Sequence, residues 1–324
     1  MTLTVVTPAY NEATNLPILY ERLQRTLGSA VSNWEWIVID DHSRDGTFAV
    51  LKELARSESR LRAYRFARNS GSHIAVRCGL ANAGGDCAVV MAADLQDPPE
   101  AIPLLIEKWK AGADVVWAVR EERLGESQRT LLFARLYYWL MRRVVGLQSI
   151  PEHGADFFLI DRKVIDAVSR FSESNTSIFA LLSWMGFKQD SVSYVKQART
   201  HGRSGWTLAK KVKLLLDSIT SFSFFPIRIM SYAGFCLALL GFLYALVVIV
   251  NAIFRRPVQG YPSLMVAVLV IGGMQMLMMG VLGEYVWRTL DESRRRPRFL
   301  IEEMTEKGGE SGRASESETQ HDES

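Results

Sequence analysis

Asp94 and Gln96, separated by one residue, present a carboxylate and an amide oxygen directly after the β-rich run Cys87 to Met91. Oxygen donors of this kind suit a hard divalent cation, Mg2+ or Mn2+, with phosphate and water completing its shell. A cation there would neutralise a departing diphosphate, whose negative charge rises as its bond breaks. The next residues, Asp97-Pro98-Pro99-Glu100, also read as a helix start with Asp97 as N-cap, and the two readings are compatible. Asp40 and Asp41 follow the run Trp36-Ile37-Val38-Ile39, where a carboxylate could accept from a nucleobase N–H or from ribose hydroxyls. Ser43, Asp45 and Gly46 make a simple turn the competing explanation of that loop. Pro8, Tyr10 and Glu12 follow the first apolar run, with Tyr10 suited to flank a base ring and Glu12 to accept from it.

The elements that must position these residues are short β-rich runs alternating with helical patterns. Leu3 to Thr7, Trp36 to Ile39, Leu61 to Phe66, Cys87 to Met91 and Asp114 to Val119 are the expected strands. Leu16, Leu19, Leu23 and Leu27 recur at helical spacing behind Asn15 as the expected N-cap, with Pro17 in the first turn. The alternation predicts an α/β domain with a mostly parallel sheet, whose ligand crevice lies at the C-terminal strand ends. No GxGxxG or GxxxxGK[ST] loop follows any of these strands, which argues against a dinucleotide fold or a P-loop.

Beyond Arg228 the composition changes. Ile229 to Phe254 and Pro257 to Gly283 carry no charged side chain, and each is long enough to cross roughly 30 Å of hydrocarbon as a helix. Arg288, Arg294, Arg295, Arg296 and Arg298 crowd after the second span and favour a cytoplasmic C-terminus. Two spans return the chain to its starting side, so both termini are expected in the cytoplasm. Met1 leads into Leu3-Thr4-Val5-Val6 without a basic segment ahead of an apolar one, so no signal peptide is expected. Cys78, Cys87 and Cys236 form no CxxC pair and read as reduced structural residues. A net charge of +3 is too small to indicate a nucleic-acid partner. After Glu302 the Glu-, Ser- and Gly-rich composition predicts a disordered tail. The expected organisation is a catalytic α/β domain over 1–208, a juxtamembrane amphipathic helix over 209–228, two transmembrane helices over 229–286, and a basic segment and tail over 287–324. Within the first domain, 131–145 mixes aromatic and basic residues as an interfacial helix would.

Val6-Thr7-Pro8-Ala9-Tyr10-Asn11-Glu12, Ile39-Asp40-Asp41-His42-Ser43, Arg68-Asn69-Ser70-Gly71 and Ala93-Asp94-Leu95-Gln96-Asp97-Pro98-Pro99-Glu100 occur in the order seen in family 2 glycosyltransferases of GT-A fold. Phe222-Ser223-Phe224-Phe225-Pro226-Ile227-Arg228 before the spans, then Leu282-Gly283-Glu284-Tyr285-Val286 and Arg296-Pro297-Arg298-Phe299, resemble the bacterial polyprenyl-phosphate glycosyltransferases of the GtrB, ArnC and dolichol-phosphate-mannose-synthase-like group. The resemblance implies a membrane-anchored enzyme of the bacterial inner membrane that transfers a hexose, glucose from UDP-glucose, onto a polyprenyl phosphate such as undecaprenyl phosphate. Direct attack by the lipid phosphate implies inversion at the anomeric carbon. The resemblance also implies that Pro8, Tyr10, Glu12 and Asp41 hold the nucleoside, and that Asp94 and Gln96 hold the metal and through it the diphosphate. Ala92 stands where some relatives carry a further aspartate, so ligation leans on Asp94 and Gln96. Gly154-Ala155-Asp156-Phe157 resembles the acceptor-side Gly-x-Asp-Phe segment, which makes Asp156 the candidate catalytic carboxylate. Arg120 and Arg123 resemble the family's basic pair, and where Gly205 replaces the family's phosphate-binding lysine its role could pass to Arg203, Arg199 or Lys210. The competing reading of Arg120 and Arg123 is solvated pairing with Glu121 and Glu122. Mannose, galactose and formamido-arabinose donors are alternatives, as is a homo-oligomeric assembly. An alternative of a different class is a catalytically silent membrane sensor of nucleotide sugars.

Overall fold

The computed structural model describes residues 1–121, 143, 156–171, 177–197, 223, 225–253, 260–294 and 296–305. Its strands are β1 (Thr2–Ala9), β2 (Asn33–Asp40), β3 (Leu61–Phe66), β4 (Cys87–Val90), β5 (Val115–Arg120), β6 (Phe158–Asp161), β7 (Gln189–Tyr194) and β8 (Ile301–Met304). The helices are α1 (Asn15–Ala30), α2 (Thr47–Ser57), α3 (Ser72–Ala81), α4 (Ile102–Lys110), α5 (Arg162–Ser169), α6 (Ile178–Trp184), α7 (Phe225–Ile253) and α8 (Tyr261–Ser293). The eight strands form one sheet in the order β7-β5-β6-β4-β1-β2-β3-β8. β4, β1, β2 and β3 are parallel neighbours, β7 runs parallel to β5, and β6 and β8 enter antiparallel.

Side chains that alternate along each strand divide the core into two layers. Val5, Trp36 and Val38 face the α1, α2 and α4 side together with Leu16, Leu19, Leu23 and Leu27, all fully buried. Val6, Ile37 and Ile39 face the other side, with Ala75 and Cys78 of α3, Val164 and Ile165 of α5, and Leu181 of α6. Each α1 leucine so buried contributes roughly 1.5–3 kcal/mol, which accounts for the helix despite its polar outer face. α3 lies so close to β1 that a Cβ at Gly79 would sit 2.3 Å from Val6 Cγ1.

Asn15 is not the N-cap of α1. It is buried in the first turn, and its side chain donates to the Glu12 carboxylate at 2.5 Å. Glu303 to Thr305, the start of the stretch expected to be disordered, are placed by β8, which pairs with the open edge of β3. The Ala67 N–H donates to the Leu300 carbonyl and the Thr305 N–H to the Ala63 carbonyl, both at 2.9 Å. Lys52 bridges Glu303 at 2.8 Å and Arg65 bridges Glu302 at 3.1 Å. These partners lie more than 200 residues away in sequence, which local composition cannot register. Phe299 stacks on Phe66 with centroids 5.1 Å apart. Because Phe299 is only half-buried, Phe299→Ala is expected to cost roughly 2 kcal/mol, about half the penalty for a fully enclosed phenylalanine, read as a lower denaturation midpoint.

α7 and α8 are long and apolar enough to cross a membrane, over Phe225–Asn251 and Val266–Ser293. Phe235, Phe242, Met276 and Met279 are exposed, as side chains facing lipid would be. α8 continues past the expected end at 286 to Ser293, and within it Arg288 pairs with Glu284 at 2.9 Å. Cys78 and Cys87 are buried and free, their thiols pushed up to about 12 by burial, which suits structural rather than reactive cysteines. Arg123, Arg199, Arg203, most of 131–145, the juxtamembrane stretch before Phe225 except Ser223, and the tail beyond Thr305 lie outside the described residues.

Candidate functional site

The loops leaving β1, β2 and β4 meet at the C-terminal end of the sheet, and each contains a non-glycine residue in the left-handed region. These are Asn11 (φ 58°), His42 (φ 59°) and Leu95 (φ 61°). Such backbone costs about 1–3 kcal/mol per residue and persists only where its surroundings enforce it. For Asn11 and His42 the enforcement is a set of hydrogen bonds between the β1 and β2 loops. The Asn11 N–H donates to Ser43 Oγ, the Glu12 N–H to Thr47 Oγ1 and the Arg44 N–H to Asn11 Oδ1, each at 2.9 Å.

Within this frame the two aspartates after β2 separate in role. Asp40 is fully buried and accepts the Ser43 N–H at 2.9 Å, which is the turn reading of that position. Asp41, also buried, accepts the backbone N–H groups of Ser70 at 2.6 Å and Gly71 at 2.9 Å, so it holds the loop between β3 and α3. Gly71 supplies the φ of 92° that this approach requires. Burial raises the Asp41 pKa, the Ser70 and Gly71 amides pull it back, and neighbouring Asp40 adds to the rise. Tyr10 is exposed just past β1, Pro8 is the last but one residue of that strand, and Glu12 faces the start of α1.

On the β4 side, left-handed Leu95 is itself buried and turns the chain so that the Gln96 N–H donates to Asp94 Oδ1 at 3.2 Å. The Gln96 carbonyl accepts from the Gln197 N–H at 2.9 Å, and Gln96 Nε2 donates to the Gln197 carbonyl at 3.5 Å. With Nε2 so engaged, Gln96 Oε1 is the atom suited to a cation. Among the described residues no three His, Cys, Asp or Glu side chains gather as a metal site. Asp94 and Gln96 therefore fit a hard cation only as a two-residue oxygen set that a ligand's phosphates complete, which is the donor chemistry such ions accept.

Asp97 is not an N-cap. It is fully buried and accepts from the Tyr194 hydroxyl at 2.5 Å, while Lys196 Nζ stands 3.9 Å from the same oxygen. Arg120, at the end of β5, pairs through Nη2 with Asp156 Oδ2 at 2.8 Å, and not with the adjacent Glu121. Tyr194 is its register partner at the end of β7. Burial opposes the Arg120 charge, but Asp156, Tyr194 and Asp97 outweigh it and raise the pKa. Burial and the Asp97 carboxylate raise the Tyr194 pKa, so its hydroxyl stays protonated. His73, in the first turn of α3, has both ring nitrogens buried without a hydrogen-bond partner, and burial pushes its pKa down to about 4. Asp97, Tyr194 and His73 went unassigned from sequence. Only Asp97 carried a signal, and its Pro98-Pro99 sequel disguised it as a cap.

Residues 4–169, half of the chain, match the family described as glycosyl transferase family 2. The chain belongs to that family. Within family 2, residues 225–288 additionally match the GtrB C-terminal hairpin, which coincides with α7 and most of α8. A bactoprenol glucosyl transferase of Shigella phage SfV is 37% identical over 95% of this chain and 100% of its own length. A prophage bactoprenol glucosyl transferase homolog of Escherichia coli K12 is 38% identical over 94% of this chain and 99% of its own. An uncharacterized glycosyltransferase of Bacillus subtilis is 38% identical over 92% of both chains. The solved structure of glucosyl-3-phosphoglycerate synthase from Mycobacterium tuberculosis, in complex with Mn2+, UDP and phosphoglyceric acid, superposes with a TM-score of 0.51 at 17% identity. It covers 68% of this chain and 78% of that one. The fold of this family 2 member is GT-A, and the protein is a glycosyltransferase.

Proposed function

We propose that this glycosyltransferase moves glucose from UDP-glucose to a polyprenyl phosphate at the cytoplasmic face of a bacterial inner membrane, with inversion at the anomeric carbon. The observation that carries the reading is the joining, in one chain, of the crevice around Asp41 and Asp94 to a hairpin of the GtrB type. Relatives named for bactoprenol glucosyl transfer support both the acceptor and the sugar.

In this reading Pro8, Tyr10, Glu12 and Asp41 receive the nucleoside, Tyr10 against the base and the acidic groups against its polar edge. Asp94 and Gln96 hold Mg2+ or Mn2+, which supplies charge neutralisation for the diphosphate leaving group. Asp156 orients the acceptor phosphate, and Arg120, with Arg123, Arg199 and Arg203, balances phosphate charge. A phosphate monoester has a second pKa near 6, so the nucleophile is largely ionised at neutral pH and needs orientation more than deprotonation. α7 and α8 keep the crevice at the bilayer surface with both termini in the cytoplasm, and this tethering raises the effective concentration of the lipid.

The test supplies membranes containing the protein with undecaprenyl phosphate and a panel of UDP- and GDP-linked sugars, followed by NMR of the lipid product. UDP-glucose is expected to be consumed and to give a β-linked product from its α-linked donor. An α-linked product would overturn the single displacement, and a mannose, galactose or formamido-arabinose product would overturn the choice of sugar.

A further inference from the structure

We propose that Tyr194 is a positioning residue that locks Arg120, and through it Asp156, in a fixed relation to the Asp94–Gln96 loop. The role rests on the assignment of Asp156 to the acceptor side.

The placement follows from sheet register. Arg120 and Tyr194 are paired residues at the ends of parallel neighbours β5 and β7, so their side chains leave the sheet on the same face. Arg120 pairs with Asp156 at 2.8 Å, and the hydroxyl of its register partner Tyr194 donates to Asp97 at 2.5 Å. A guanidinium is a rigid planar fork, so a tyrosine anchored beside it on the neighbouring strand limits how its plane can turn on the carboxylate. Asp97 belongs to the same turn as Gln96, and Gln197, three residues beyond Tyr194, is hydrogen-bonded to Gln96. The Tyr194 ring also packs edge-on against Phe157, the residue next to Asp156, with centroids 5.7 Å apart. One side chain thus touches the segment that carries Asp156 and the turn that carries the candidate metal ligands, and stands in register with the arginine that grips Asp156.

The arrangement is a poor device for stability. Asp97 Oδ2 and Arg120 Nε are buried without hydrogen-bond partners. Buried polar networks left partly unsatisfied are generally less stable than apolar packing of equal volume. What the network supplies is rigidity between the donor and acceptor halves of the crevice, where small misplacements are costly to rate.

Tyr194→Phe keeps the ring against Phe157 and removes only the hydroxyl. With UDP-glucose and undecaprenyl phosphate, its kcat is expected to fall about 10-fold while KM for UDP-glucose stays within about twofold, as expected for lost alignment rather than lost binding. In a double-mutant cycle, Tyr194→Phe is expected to add little to Asp156→Asn, because both act on one group. If Tyr194→Phe fails to fold, Asp97→Ala, which removes the acceptor that anchors the Tyr194 hydroxyl, is expected to give the same split of kcat from KM. A folded Tyr194→Phe with wild-type kcat, or a loss that multiplies fully with that of Asp156→Asn, overturns the role alone. A wild type that transfers no sugar to the lipid overturns the functional reading and this role with it.

Discussion

Asp94→Ala is expected to lower sugar transfer about 100- to 1,000-fold, the scale set by removing one preorganised electrostatic contact to a transition state. With Gln96, Asp94 is one of the two candidate cation ligands on the turn built by left-handed Leu95, since Asp97 on that turn is taken up by Tyr194, and Ala92 offers no carboxylate to replace it. The side chain is buried at the mouth of the crevice and not in either apolar layer, so the variant should fold. Calorimetry should then show that Mg2+ or Mn2+ no longer strengthens UDP binding. Transfer within a few-fold of wild type, in a variant whose melting curve is unchanged, would remove Asp94 from the chemistry.

The second large effect concerns stability. Trp36 is fully buried on β2, stacks on Tyr20 at 6.0 Å with planes 15° apart, and donates from Nε1 to Thr7 Oγ1 at 2.9 Å. Trp36→Ala should cost about 3–5 kcal/mol from the cavity alone, and the buried Thr7 hydroxyl would lose its donor as well. A total stability of about 5–15 kcal/mol leaves little after such a loss. Since β2 delivers Asp40 and Asp41 to the crevice, binding should fail together with folding. Trp36→Phe separates the contributions by refilling most of the volume while leaving Thr7 unpaired. Denaturant midpoints should fall in the order wild type, Trp36→Phe, Trp36→Ala, and an alanine variant as stable as wild type would contradict the packing described for β2.

The sheet was legible where burial on both faces writes continuous apolar runs. Val5-Val6, Trp36-Ile37-Val38-Ile39 and Cys87-Ala88-Val89-Val90 are such runs, and each is a strand. β7 was not legible, because Gln189-Asp190-Ser191-Val192-Ser193-Tyr194 lies at the sheet edge and carries polar residues that no core demands. β8 was hidden for the same reason by Glu302 and Glu303, whose partners are Arg65 and Lys52. In the crevice, Asp41, Asp94 and Gln96 stood out because polar residues directly after apolar runs occupy the strand ends where α/β sheets bind ligands. Asp97 stood in the same loop, but its partner Tyr194 is 97 residues away, while Pro98 and Pro99 offered a local explanation. Local grammar therefore located the loops. Which carboxylate faces a ligand and which braces the frame depends on contacts made only when the sheet assembles.

The most direct measurement follows radiolabelled sugar from UDP-glucose into the organic phase, using purified protein in lipid nanodiscs that contain undecaprenyl phosphate. Label should reach the lipid with Mg2+ or Mn2+, and should stay in the aqueous phase when EDTA is added or the polyprenyl phosphate is left out. Label that enters the lipid equally well with EDTA, or that is released as free glucose whether or not the acceptor is present, would contradict cation-assisted transfer to a lipid phosphate.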